Sequence, residues 1–194
     1  MFFQISATTI LLVFYGCYFS KMISQRKKGI KTDQLGKGKS GSTKYIEIAT
    51  KISAFAVPIA EGISIILNTS LLSSPIRYIG FAMTVVGDIV FICSIITMKD
   101  SWRAGVSESE KTELISNGIY KISRNPAFVG FDLIYIGVIL MFFNWALLLV
   151  SIFAIIMFHL QIVCVEEPFL IRTFGDEYLN YKNTVGRYLG RKLK

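Results

Sequence analysis

Apolar residues in this chain come in long uninterrupted runs, cut by short polar or basic stretches, and the run lengths dictate the elements. Residues 2–19 are apolar over about the ~20 residues that a helix needs to cross a bilayer core. Ile46 to Leu72 forms a second apolar segment, interrupted by Lys51, Pro58 and Glu61. It exceeds a single crossing, so one end protrudes or the helix tilts. Pro58 should kink it, because proline removes a hydrogen bond and crowds the preceding turn. Residues 68–75 read as a short turn and 76–98 as a third span, with Asp88 near its middle. Ala127 to Val163 then offers 37 residues with hardly a charge. At ~1.5 Å per residue a single helix would be ~55 Å long, nearly twice the ~30 Å hydrocarbon thickness, so the segment must fold back. Asn144-Trp145 near its midpoint supplies a turn residue and an interfacial aromatic. Two helices of ~18 residues result, each just long enough to span. The pattern predicts an all-α integral membrane protein with five transmembrane helices.

Composition agrees. Of 194 residues, 53% are hydrophobic and 18% charged, with a mean hydropathy of +0.53, too apolar for a soluble domain. The first segment lacks a basic start and an Ala-x-Ala site, which predicts a retained helix rather than a signal peptide. Cys17, Cys93 and Cys164 each sit in apolar sequence without metal-ligand spacing and read as buried free thiols. Charge is unevenly placed. Residues 20–45 hold eight Lys/Arg, one acid and four glycines, residues 98–126 hold five Lys/Arg, and residues 164–194 hold six. Residues 20–45 therefore read as a mobile basic loop against anionic headgroups; no aromatic-interleaved motif supports nucleic acid. Five spans put these three regions on one face, and the positive-inside rule makes that face cytoplasmic, with the N-terminus outside and the C-terminus inside.

The candidate chemistry lies in the polar stretch Leu114–Gly130 and in the tail. Asn117-Gly118 predicts a tight turn. Asn125-Pro126 predicts a helix start, with the Asn side chain capping a free N–H and Pro at the first helical position. Such an end offers unpaired N–H groups and a positive dipole to a polar ligand. In the tail, Gly175 should close one short helix and Asp176 cap the next. Tyr178, Tyr181, Val185 and Tyr188 recur at helical spacing, predicting an amphipathic helix over the 98–126 loop or on the membrane surface. His159, the sole histidine, stands two turns before Glu167. Its bland reading is a packed, hydrogen-bonded residue. Trp102 reads first as an interfacial anchor and second as a stacking platform. Glu61, Asp88 and Asp132 are costly charges in apolar spans, to be paired with Lys51 or with neighbouring polar groups. No metal cluster, phosphate loop or dinucleotide fingerprint is present.

Leu114-x3-Gly118-x-Tyr120-x3-Arg124-Asn125-Pro126-x-Phe128-x-Gly130, a helical hairpin, and Glu166-Glu167-x2-Leu170-x3-Phe174-Gly175-x2-Tyr178-x2-Tyr181 together resemble the isoprenylcysteine carboxyl methyltransferase family. Phospholipid and isoprenoid methyltransferases, and the C-terminal part of membrane sterol reductases, are similar to it. The resemblance implies methyl transfer from S-adenosylmethionine to the carboxylate of a prenylated cysteine, on a cytoplasmic site formed by the 98–126 loop and the C-terminal helices. Residues 1–97 would then form three spans at the lipid entrance, and 98–194 the catalytic region. It implies that Glu113, Leu114, Ile115, Tyr120, Asn125, Pro126, Ala127 and Phe128 wrap the cofactor with Glu167; His159 joins the candidates by its position two turns before Glu167. Where the family commonly has His, this chain has Asn125, which cannot titrate. A carboxylate with a pKa near ~3.5 needs no general base, and Arg124 or Arg103 would suit its orientation. The expected catalytic set is thus Arg124, Glu167 and His159. Rival readings are an NADPH-dependent sterol-type reductase and a lipid-binding or transport module.

Overall fold

The computed structural model describes residues 1–106 and 113–191. Its helices are α1 (Phe2–Lys27), α2 (Gly41–Leu67), α3 (Ser74–Met98), α4 (Pro126–Met141), α5 (Trp145–Leu160) and α6 (Glu167–Thr184). A π-helical turn, Gln161–Glu166, joins α5 to α6, so that Trp145–Phe174 is one apolar rod of 30 residues. α1, α2, the rod beginning at Ser74 and the rod beginning at Trp145 are long and apolar enough to cross a membrane, whereas α4 has 16 residues and rises ~24 Å. The chain is a multi-pass, all-α integral membrane protein. Its expected hairpin of equal arms is instead a short helix followed by a long one. Asn144 sets that turn: its side chain accepts from Leu147 N at 3.0 Å and donates to Ser64 Oγ on α2 at 2.8 Å.

Glycines decide which helices touch most closely. A Cβ at Gly137 would lie 2.6 Å from Gly80 O, and one at Gly130 would lie 3.0 Å from Gly87 O. α3 and α4 therefore pack backbone to backbone and antiparallel, as small residues permit between membrane helices. α5 runs antiparallel to α2, with Thr50 Oγ1 donating to Met157 O at 3.4 Å. α1 runs parallel to α3, joined by Phe3–Tyr78 and Phe14–Phe91 ring contacts at 5.0 and 4.5 Å. Outside, Ile52, Phe55, Ile59, Ile63 and Ile66 form an exposed stripe at helical spacing on α2, the face a lipid-embedded helix presents. Cys93 and Cys164 are exposed on such faces and Cys17 is half-buried, so the thiols are free but not buried as a group.

α2 runs unbroken through Pro58. Two other expectations change. α1 extends to Lys27, and the remainder of the basic segment is fastened rather than loose. Thr32 donates to Gln25 Oε1 at 2.7 Å, Gln25 Nε2 donates to Trp102 O at 2.8 Å, and Ala104 pairs with Asp33 in an isolated bridge. Gly36 N also donates to Glu47 at 2.7 Å, and Lys51 pairs with Asp33. Lys51 is thereby unavailable to Glu61, whose partner is Tyr15 Oη at 3.4 Å. Fully sequestered Gln25 thus ties the chain after α1 to the chain after α3, which is one wall of the site described next.

Candidate active site

The C-terminal ends of α1 and α3 and the N-terminal ends of α2 and α4 meet at one end of the bundle, where the sequence is polar. Gly118, at φ +54°, turns the chain against Thr97, whose Cγ2 would be 3.0 Å from any Cβ there. The following short helical turn, Gly118–Lys121, directs Tyr120 inward. Pro126 is the first residue of α4 as expected, but the Asn125 side chain does not cap it. Asn125 Nδ2 donates to Arg187 O at 3.1 Å, across to the tail. The first-turn N–H groups of Ala127 and Phe128 have no acceptor within their own helix.

The tail closes over this stretch. Gly175, at φ +51°, breaks α6 as predicted. Beyond it Tyr181 Oη donates to Tyr120 O at 2.7 Å. The helix stops at Thr184, so Val185 and Tyr188 do not continue its apolar face. Gly186 O accepts from Arg124 N at 3.0 Å, and Gly186 N donates to Gly190 O at 2.7 Å in a tight turn. Burial raises the phenols of Tyr120 and Tyr181 well above their ordinary range and pushes Tyr178 up to about 12, so all three remain neutral donors.

Under the tail, one carboxylate gathers three cations. Glu167 is 2.9 Å from Arg124 Nη2, 3.2 Å from Lys182 Nζ, and bound in two-point fashion by Arg187 at 2.7 and 3.1 Å. Arg124 further donates to Tyr178 Oη at 2.6 Å and to Val185 O at 3.2 Å. The same carboxylate raises the pKa of Arg187. Two residues expected to serve a ligand are thus each other's partners, and their first effect is to hold the tail down.

Beside this cluster lies a partly open crevice whose space, open solvent at its mouth included, is about 970 Å³. Glu113, Leu114, Ile115, Tyr120, Arg124, Asn125, Ala127 and Phe128 all line it, as do Trp102 and Arg103. Trp102 is buried, edge-on to Tyr18 at 5.4 Å, and so is no interfacial anchor. Pro126 is buried behind the lining. Glu167 and His159 are not part of the lining; His159 Nδ1 is 2.6 Å from Tyr188 Oη. The tail's contribution is Glu166, Phe169, Leu170, Tyr178 and Tyr181. Sequence spacing pointed to both tyrosines. It missed Glu166, and the π turn supplies the reason: an i→i+5 turn contains more residues than an α turn and so rotates the following residues off the α-helical phase. Arg187 and Lys182 carried no local signal, because their partner is 20 residues away for one and 15 for the other.

The lining combines apolar walls, six aromatic side chains, carboxylates at Glu113 and Glu166, and helix-end N–H donors. It suits a medium-sized ligand with an apolar body, a cationic centre and polar ends.

Residues 62–177 match the phospholipid methyltransferase family, from within α2 to the residue before Tyr178. Over 123 residues the chain is 30% identical to protein-S-isoprenylcysteine O-methyltransferase of Saccharomyces cerevisiae, covering 62% of this chain and 52% of that protein. Protein-S-isoprenylcysteine O-methyltransferase A of Arabidopsis thaliana is 30% identical over 108 residues, 55% of each chain. The Xenopus laevis enzyme of the same name is 29% identical over 110 residues, 55% of this chain and 38% of that one. The chain spans about half the length of the first two. With more than half of its residues matched, including most of the crevice wall, the chain belongs to the phospholipid methyltransferase family.

Proposed function

We propose that the crevice binds S-adenosylmethionine and that the protein methylates the carboxylate of a lipophilic acceptor, foremost a C-terminal S-prenylcysteine. The observation that carries this reading is the meeting, in one crevice at the polar end of a membrane bundle, of Glu113–Ile115, Tyr120, Asn125, Ala127 and Phe128 with Glu166. The relatives' names supply the acceptor class.

The residues present fit the cofactor. Leu114, Ile115, Phe128 and Leu170 offer an apolar slot, Glu166 and the Tyr120 face suit a sulfonium cation, and the α4 N-terminus suits a carboxylate. S-adenosylmethionine, when bound, supplies an electrophilic methyl group. The acceptor carboxylate is ionised at neutral pH, so Asn125 need not titrate and no general base is required. What this chain contributes is alignment and exclusion of water, an effect able to lower a barrier by ~7–11 kcal/mol. Arg103, on the crevice wall, is the guanidinium assigned to orient the acceptor; its Nη1 donates to the carbonyls of Asp100 and Trp102, which fix it against the wall. Arg124 has its donors committed to Glu167, Tyr178 and Val185 and acts as a positioning residue.

Residues 98–194 carry the chemistry in this reading, and the helices of 1–97 border the path by which the lipid tail arrives sideways. In this reading the crevice and C-terminus face the cytoplasm and the N-terminus the outside, which the distribution of basic residues supports. Calorimetric titration with S-adenosylhomocysteine and with NADPH tests the cofactor. Labelled-methyl transfer to an S-prenylcysteine, phosphatidylethanolamine and a polyprenyl acid tests the acceptor. Binding of the nucleoside product and methylation of the prenylcysteine are expected. Binding of NADPH alone, or label only on the phospholipid amine, would overturn the reading.

A further inference from the structure

A second hollow opens between the last turns of α1 and α3. Its walls are Lys21, Lys28, Lys99 and Asp100, above Ile95 and Ile96. Lysines outnumber the acid three to one, and Asp100 gives both oxygens to Lys28 at 3.0 and 2.7 Å. Lys21 is half-buried and, like exposed Lys99, donates to no acceptor among the described residues. Its stem is the part that is covered, and among the described residues Asp100 is the one acid acting on its ammonium, so the three lysines of the hollow keep an excess of positive charge open to a further anion. Lys99 reaches the group through a left-handed backbone turn, φ +48°.

What extends from this basic hollow is apolar. Ile89 and Ile96 on α3 are seven residues apart, so they share one helix face, and both are exposed. They continue the floor of Ile95 and Ile96 along α3 into the zone that hydrocarbon occupies. An inorganic anion would use the lysines and leave that strip bare; an anionic phospholipid uses both.

We propose that this hollow binds one anionic phospholipid of the bilayer, its phosphate held by Lys21, Lys28 and Lys99 and an acyl chain lying on the exposed α3 face of Ile89 and Ile96. Lysine suits this task as a point charge beside a headgroup. Asp100 restricts Lys28, leaving Lys21 and Lys99 as the principal phosphate donors. The site is separate from the methyl-transfer reading and stands or falls without it. Its floor and rim lead directly into Ser101 and Trp102, which line the crevice.

The test uses the full chain in neutral detergent, titrated with dioleoylphosphatidylglycerol and with dioleoylphosphatidylcholine, and read by native mass spectrometry. Lys21→Gln with Lys99→Gln is compared with Lys39→Gln with Lys44→Gln, which removes the same charge from the basic segment elsewhere. The first pair should weaken phosphatidylglycerol binding about tenfold or more, leaving phosphatidylcholine unchanged; the control pair should change it less than about twofold. Ile96→Ser should weaken the lipid while sparing any binding of inorganic phosphate. Should the double variant fail to fold, Lys99→Gln alone, at an exposed side chain, carries the same comparison. Equal losses in both pairs would mean diffuse surface charge and overturn the site. Inorganic phosphate binding as tightly as the lipid would overturn the lipid assignment.

Discussion

Glu167→Gln tests the central electrostatic claim, because it removes a charge while keeping the side chain's size and two polar atoms. The partner that matters is Arg124: its side chain is 3% exposed and that of Glu167 is 6% exposed, at 2.9 Å. Breaking such a pair leaves a buried guanidinium uncompensated, at a cost of ~3–5 kcal/mol. Lys182 and Arg187 are 31% and 32% exposed, so solvent screens them and each adds only ~0–1 kcal/mol. At ~2–4 °C per kcal/mol for a chain of this size, the thermal midpoint should fall by roughly 6–20 °C. Proteolysis should reach the tail beyond Gly175 first, since Arg124 and Asn125 hold it through Val185, Gly186 and Arg187. Thermal unfolding in detergent of Glu167→Gln, Arg124→Met and the double variant measures the coupling, expected at ~2 kcal/mol or more. A midpoint within about 1 °C of the parent, or strictly additive losses, would refute the claim that this pair fastens the tail.

Three further outcomes follow from the geometry. Glu166→Gln should weaken binding of the sulfonium S-adenosylmethionine in calorimetry more than that of the uncharged thioether S-adenosylhomocysteine, while moving the thermal midpoint by less than about 2 °C, the reverse of Glu167→Gln, because Glu166 lines the crevice and Glu167 does not. Gly137→Ala should lower the midpoint by the equivalent of ~1–3 kcal/mol, since its Cβ would meet Gly80 O and Thr84 Cγ2 at 2.6 Å, whereas Gly62→Ala, with nothing within 4 Å, should be neutral or stabilising. The raised Tyr178 phenol contributes stability that is complete below the ordinary tyrosine value of ~10 and is lost as pH rises through about 12; the midpoint should therefore fall over that window, and fall less in Tyr178→Phe.

Much of the site was legible because its residues are close in sequence. The turn at Gly118, the helix start at Pro126 and the break at Gly175 follow from local conformational preference, and each is found where composition put it. The fate of the Asn125 side chain was not legible. Capping by Asn125 is a local preference, and a carbonyl 62 residues away, Arg187 O, outcompetes it. The basic segment misled for a similar reason. Lysines and glycines suggest mobility, yet buried Gln25 and the Asp33–Ala104 bridge fasten it to residues some 70 positions later.

By itself the sequence determined the membrane class, the four reversals of direction and the collection of polar and basic residues at one end. These depend on run length against bilayer thickness and on local turn chemistry. Only the tertiary structure decided which of two adjacent glutamates faces the crevice, that Arg124 is bound to the other, and that the tail is a clamp. Those facts rest on helix phase, reset by the π turn Gln161–Glu166, and on contacts between distant segments. A charge is placed by the partner that offsets its burial, and no window along the chain contains that partner.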